Sequence, residues 1–198
     1  MVESGWFYST VIDPVLIGMR KRVNLEIPEG KKILDVACGT GAQVFELATF
    51  AKEVTGIDLS ESMIRKAEKT EEKRNVSNVH FRICDATGNW KFSDKQFDIA
   101  LITMALHQFP PENFAGILNE MKRVAQQIII VDYAVPLPQN ITGWGSRVAE
   151  FFAGREHHRN FRKYNRLGGL NKILAANKLT IQRERSFANG AFQLVVCS

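Results

Sequence analysis

The run Lys31-Lys32-Ile33-Leu34-Asp35-Val36-Ala37-Cys38-Gly39-Thr40-Gly41 restricts the fold of this chain more than any other segment. It reads as an apolar strand that closes on an acidic residue and turns through Gly-x-Gly into a helix. Ile33, Leu34 and Val36 have the apolar, largely β-branched character of a central parallel strand. Gly39 and Gly41 let the backbone bend tightly and bring its amides to a ligand with no Cβ in the way. A ligand held there lies at the carboxyl end of a strand and faces the amino end of a helix, where open α/β sheets take nucleotide-like cofactors. The third glycine of a dinucleotide loop is missing, its position being Val44, and no Gly-Lys-Ser/Thr follows. Asp35 beside the loop would repel a diphosphate and suits a cofactor with a positive amino group.

Beyond that loop, strands and helices alternate with no internal repeat and no low-complexity linker. Val44, Leu47, Ala48 and Ala51 give the next helix one apolar stripe. Glu53 to Leu59 reads as the second strand, and Ser60 as the N-cap of a helix reaching about Lys73. Val79 to Cys84 is the third strand and Phe97 to Met104 the fourth. Pro111 opens a helix with Phe114, Ile117, Leu118, Met121 and Val124 on one face. Gln127 to Val135 is a very apolar fifth strand. Leu179 to Phe187 and Ala191 to Cys197 flank Ala188-Asn189-Gly190, a hairpin turn. This order predicts an α/β fold whose mostly parallel sheet ends in an antiparallel C-terminal hairpin strand.

Four segments now carry a resemblance. Asp35 to Gly41 resembles the first motif of the class I S-adenosylmethionine-dependent methyltransferases, the group that includes quinone-biosynthesis and lipid-headgroup enzymes. Val54-Thr55-Gly56-Ile57-Asp58-Leu59-Ser60 resembles the second motif, and Cys84-Asp85-Ala86 the third. Phe97 to His107 resembles the fourth strand and the segment after it. Together they cover roughly residues 31 to 135, and four motifs in order are far more specific than one. The resemblance implies a Rossmann-like, doubly wound, seven-stranded sheet. It also implies one methyltransferase domain over residues 1–198, with an N-terminal lid at 1–30 and an insertion or cap at 136–178.

The cofactor implied is S-adenosyl-L-methionine. Asp58 would accept hydrogen bonds from both ribose hydroxyls, or else cap the following helix. Asp85 would take the adenine amino group while the Ala86 amide donates to a ring nitrogen. Leu59 and Met63 would sandwich the adenine, although Met63 suits the core equally. Asp35 would orient the loop and receive the methionine amino group, or tie down loop amides. Ala37, Gly39, Thr40, Gly41 and Thr103 complete the cofactor set, with backbone groups holding the methionine end. His107, after the fourth strand, is the candidate catalytic base, able as neutral imidazole to take a proton from the acceptor. The alternative is packing on the cofactor or capping the loop before Pro110-Pro111. Methyl transfer would proceed by direct in-line displacement.

The acceptor side is written in less familiar residues. Trp6, Phe7 and Tyr8 precede a short helix opened by Asp13-Pro14 and suit either a lid or plain hydrophobic docking. Arg155, Arg159, Arg162 and Arg166 recur at helical spacing with Lys163 alongside, and His157, Phe161 and Tyr164 fall on the other side. Such a face contacts an anionic lipid surface, an acceptor phosphate or nucleic acid, or simply faces water. Tyr8, His157 and Tyr164 are the candidate acceptor contacts. His157 and His158 are adjacent and no Cys/His cluster has ligand spacing, so no metal is expected.

Composition narrows the partners. A net charge of +5 leaves room for an RNA methyltransferase without demanding a polyanion. Thr103-Met104-Ala105-Leu106 lacks the Asn/Asp-Pro-Pro-aromatic motif used on base amino groups, and no cysteine follows the fourth strand. A small-molecule or lipid-like acceptor is therefore the leading expectation. An RNA methyltransferase and a non-catalytic cofactor-binding protein are the alternatives. No apolar run approaches the roughly 18 residues that cross a bilayer, so no transmembrane segment is expected. The N-terminal apolar stretch, broken by Asp13 and Pro14, has no basic lead. Three widely spaced cysteines, Cys38, Cys84 and Cys197, read as buried thiols in a reducing cytoplasm.

Overall fold

In the computed structural model the described residues are 13–139 and 154–198. Helix α1 (Asp13–Asn24) is followed by β1 (Lys32–Val36), α2 (Ala42–Leu47), β2 (Glu53–Asp58), α3 (Glu61–Arg74) and β3 (Val79–Ile83). Strand β4 (Phe97–Thr103), α4 (Phe114–Val124) and β5 (Ala125–Tyr133) come next, then α5 (Arg155–Arg166), α6 (Gly169–Ala176), β6 (Ile181–Phe187) and β7 (Phe192–Cys197). The seven strands form one sheet in the order β3-β2-β1-β4-β5-β7-β6. Every pairing from β3 to β5 is parallel, and β7 lies antiparallel to both β5 and β6. This is the α/β, Rossmann-like, mostly parallel seven-stranded arrangement, with the C-terminal hairpin placing the one reversed strand.

The apolar character of β1 follows from its central place. Ile33, Leu34 and Val36 are fully buried between β2 and β4, with layers on both faces. From β1 the chain winds outward through β2 and β3, then crosses to β4 on the other side. The order reverses there, so the carboxyl ends of β1 and β4 open a crevice between diverging loops. On the far side, β5 carries Ile128, Ile129, Ile130 and Val131 into the core. Helix α4 buries Phe114, Ile117, Leu118, Met121 and Val124, the face its spacing predicts.

Strand β5 begins and ends two residues earlier than the sequence reading, at Ala125 and Tyr133, and two helix boundaries differ from it for local reasons. Pro111 opens a 3₁₀ turn, Pro111–Asn113, and the α-helix begins only at Phe114. Helix α2 stops at Leu47, because Thr49 turns its hydroxyl onto the Glu46 carbonyl at 2.7 Å. Ala51 is buried beyond the helix end rather than on its stripe.

At the hairpin, Ala188, Asn189 and Gly190 all have left-handed backbone, with φ of 50°, 54° and 85°. Edge strand β6 exposes Gln182, Arg183, Glu184, Arg185 and Ser186, charges that discourage pairing with another sheet. Buried Glu26 anchors that edge, its carboxylate lying 2.5 Å from Arg185 Nε and 3.2 Å from Arg183 Nη1.

Candidate functional site

The glycine loop is shaped by contacts that tolerate no larger residue at Gly41. Its φ is +77°, and a Cβ there would stand 2.7 Å from Phe81 Cζ and 3.2 Å from Phe45 Cε2. Ala37 and Gly39 are also left-handed, with φ of 57° and 56°. A non-glycine residue in that region stores strain of order 1 kcal/mol, as functional loops often do. Gly56 contributes from the neighbouring strand: a Cβ on it would lie 2.8 Å from Cys38 Sγ, so its bareness lets the loop cross. The sequence reading included Gly56 only as part of a motif.

Asp58 joins this loop to the next one. Its Oδ2 accepts from the Gly39 amide at 2.8 Å, and its Oδ1 accepts from the Ser60 amide at 2.8 Å. Each carboxylate oxygen has a further lone pair for a ligand hydroxyl. These bonds tie Asp58 to the glycine loop and to the residue that caps the next helix, and leave both oxygens able to accept more. Ser60 Oγ in turn accepts from the Met63 amide and caps α3.

Asp35 is held very differently. It is 3% exposed, and no hydrogen bond from the described residues offsets the burial of its carboxyl. Burial, and secondarily the nearby charge of Asp58, push it up to about 8. Loop amides are thus tied by Asp58, leaving Asp35 as an acid whose ionised form calls for a cation. Across the crevice, Thr103 ends β4 with its Oγ1 buried and without a partner among the described residues. Met104 follows with φ of 53°, its amide bonded to the Val131 carbonyl at 2.8 Å.

An apolar ledge adjoins Asp58. Leu59 is 68% exposed and Ile83, in register with Asp58 on β3, is 56% exposed, while Met63 is half-buried. Large apolar side chains left in water beside a buried loop suit the faces of a flat ligand. Ile83 was missed in the sequence, where it reads only as an interior residue of the third strand. Asp85 is exposed, with Oδ1 accepting from the Thr87 amide and hydroxyl, both at 2.8 Å. The loop is pinned below by Trp90, whose Nε1 donates to the Ala86 carbonyl at 3.3 Å. Ala86 is buried and Thr40 half-buried.

His107 sits in a different environment. It is buried in a 3₁₀ turn after β4, with Nδ1 2.5 Å from Asp132 Oδ1. Its backbone amide donates to Asp132 Oδ2 at 3.0 Å, and the Tyr133 amide donates to Oδ1 at 2.8 Å. Both Asp132 oxygens already accept from backbone amides, and a proton on His107 Nδ1 would give Oδ1 a second donor. Rings of Tyr133, Phe161 and Tyr164 surround it at centroid distances of 4.8, 6.0 and 6.3 Å. Asp132 went unremarked in the sequence, although an acid inside an isoleucine-rich strand is itself a signal.

Helix α5 closes over this cluster. Its inner face buries Asn160, Phe161 and Tyr164. Tyr164 has no exposed surface, and its hydroxyl donates to the Tyr133 carbonyl at 2.8 Å. Burial, then the charge of Asp132, raises that phenol well above its ordinary value. The structure therefore places Tyr164 in the wall of the cluster, while His157 is half-buried on the same helix. Arg155, Arg159, Arg162 and Arg166 are all exposed on the outer face. Tyr8 lies outside the described residues. Among the described residues no three His, Cys, Asp or Glu side chains gather as metal ligands. Nor is any described helix long and apolar enough to cross a membrane.

Comparison with known proteins gives the same direction. Residues 27–178 match the family model described as a methyltransferase domain. The demethylmenaquinone methyltransferase of Staphylococcus carnosus (strain TM300) is 36% identical over 110 residues, covering 53% of this chain and 44% of that protein. The chain thus matches less than half the length of this curated relative. Among solved structures, a protein from Pyrococcus horikoshii OT3 superposes with TM-score 0.74 at 22% identity, covering 97% of this chain and 93% of that one. A SAM-dependent methyltransferase from Aquifex aeolicus superposes with TM-score 0.66 at 19% identity, covering 90% and 88%.

Proposed function

The chain belongs to the methyltransferase domain family, and from that premise we propose that it methylates a small, apolar, quinone-like or lipid-like acceptor. The cofactor is S-adenosylmethionine, which when bound supplies an electrophilic methyl group on a sulfonium. The residues present fit it. Asp35, buried with no hydrogen bond from the described residues, matches the methionine ammonium. Asp58 keeps a lone pair on each oxygen for the ribose hydroxyls. Leu59, Met63 and Ile83 offer apolar contact to the adenine, with Asp85 and the Ala86 amide at its edge. Gly39, Thr40 and Gly41 bring backbone close to the ligand, and the buried Thr103 hydroxyl offers a bond from the β4 side. A buried carboxyl facing a second acid across a glycine loop is the observation that carries this reading.

An apolar acceptor is supported by the name of the Staphylococcus carnosus relative and by the aromatic cluster of Tyr133, Phe161 and Tyr164 beyond β4 and β5. Asp132 holds the His107 ring in place through Nδ1. We assign His107 to the acceptor end of the site, where an imidazole can receive a proton from an acceptor that must lose one. Methyl transfer itself needs alignment of acceptor and methyl carbon more than a base.

Titration calorimetry with S-adenosylmethionine tests the proposal. Binding is expected in the wild type and at least a tenfold loss in Asp58→Ala, since two ribose bonds and the Gly39 anchor disappear together. No binding by a folded wild type would overturn it. With binding secured, a labelled-methyl assay on demethylated quinones tests the acceptor. Retention of full activity and an unchanged pH profile in His107→Gln would remove the base assignment.

A further inference from the structure

The outer face of α5 takes no part in the site described above, yet it carries the strongest local charge among the described helices. Five basic residues, Arg155, Arg159, Arg162, Lys163 and Arg166, stand against one acid, Glu156. The four arginines are exposed, and among the described residues Glu156 pairs with Arg159 alone, at 3.5 Å. Arg155, Arg162 and Arg166 form no ion pair with any described residue. Leu167, 46% exposed, adds an apolar side chain where the helix ends.

We propose that this face docks the protein on an anionic lipid bilayer. Charge complementarity is the first argument: a row of arginines along one helix face matches a negative surface and gains from every contact at once. Long arginine stems also lie along an interface while their guanidinium heads reach phosphate. The distribution of aromatic residues selects lipid over nucleic acid. Proteins that bind single strands present aromatic rings among their basic residues for base stacking. On α5 both rings, Phe161 and Tyr164, point inward and are buried around His107. The exposed side is left with the cations, Glu156 beside Arg159, and Leu167.

The position of α5 gives docking a use. One helix forms the wall of the aromatic cluster and bears the arginine row, so the bilayer lies against the acceptor end of the site. A lipid-borne acceptor then reaches the site from the membrane. This last point rests on the proposed apolar acceptor, whereas docking itself is measured independently of it.

Co-sedimentation of the purified chain with vesicles is the test. One set is phosphatidylcholine alone and the other is phosphatidylcholine mixed with phosphatidylglycerol. Binding is expected only to the mixed vesicles, with release by high salt. The double variant Arg162→Gln/Arg166→Gln should bind about 30-fold more weakly, with its S-adenosylmethionine affinity and circular dichroism unchanged. Equal partitioning to both vesicle types, or no partitioning to either, overturns docking. Single-stranded RNA that displaces the wild type from mixed vesicles also overturns it, in favour of a nucleic-acid face. Loss of S-adenosylmethionine binding in an otherwise vesicle-bound wild type would instead count against the methyltransferase proposal. Salt release needs no variant, so the test stands even if the double variant fails to fold.

Discussion

Asp35 and Asp58 are neighbouring acids with opposite surroundings. Asp58 receives two backbone amides, while Asp35 is buried without a hydrogen bond from the described residues and is pushed up to about 8. In the unfolded chain an aspartate ionises near about 3.9. The folded state therefore holds this proton more tightly, and its contribution to stability is full below about pH 4, declines as pH rises, and is lost above about pH 8. Asp35→Asn should be more stable than the wild type at about pH 9 and no more stable at about pH 4, by urea unfolding at both. A gap that does not change with pH would refute the burial argument. A cationic amino group arriving beside Asp35 favours its ionised form, so binding at about pH 7 should release close to one proton. Calorimetry in two buffers of different ionisation enthalpy measures it. Both acids were legible in the sequence, since each ends a strand beside a recognisable loop. Their division of labour was not, because it depends on which carboxylate the Gly39 amide meets in space.

Helix α5 and strand β5 meet through single polar contacts inside an apolar wall. Asp132 accepts from three donors at 2.5 to 3.0 Å with no exposed surface. Asn in its place offers one acceptor oxygen and turns an amino group toward N–H donors. Asp132→Asn is expected to cost about 2–4 kcal/mol in urea unfolding. Tyr164→Phe removes one neutral bond, to the Tyr133 carbonyl, and should cost only about 1 kcal/mol. Similar losses in the two variants would argue against the triply bonded Asp132 carboxyl as the stronger contact. At this scale the sequence was an uneven guide. The arginine spacing of α5 marked a helix and sorted its two faces, because helical period is local. The pairing of His107 with Asp132 spans 25 residues and the whole of helix α4, and no local pattern announces it.

At the scale of the molecule, the three thiols differ from the expected buried set: Cys197 is buried, but Cys38 and Cys84, at loop positions after strand ends, are only half-buried. Burial raises Cys38, Cys84 and Cys197, with Cys197 pushed up to about 11. All three are free, and the nucleophilic thiolate is scarce near neutral pH. Alkylation by iodoacetamide at about pH 8 should therefore be slow in the native chain and fast in urea. Rapid native labelling of Cys38 would show that the glycine loop opens. Strand order belongs to this scale too: alternation of strands and helices made the sheet legible, while its seven strands came from the four motifs together. The place of β7 has one more consequence. It is the last described strand, yet it lodges between β5 and β6. While the nascent chain leaves the ribosome, β5 keeps a bare, isoleucine-rich edge until residues 192–197 emerge. That edge is a template for pairing between chains until β7 covers it.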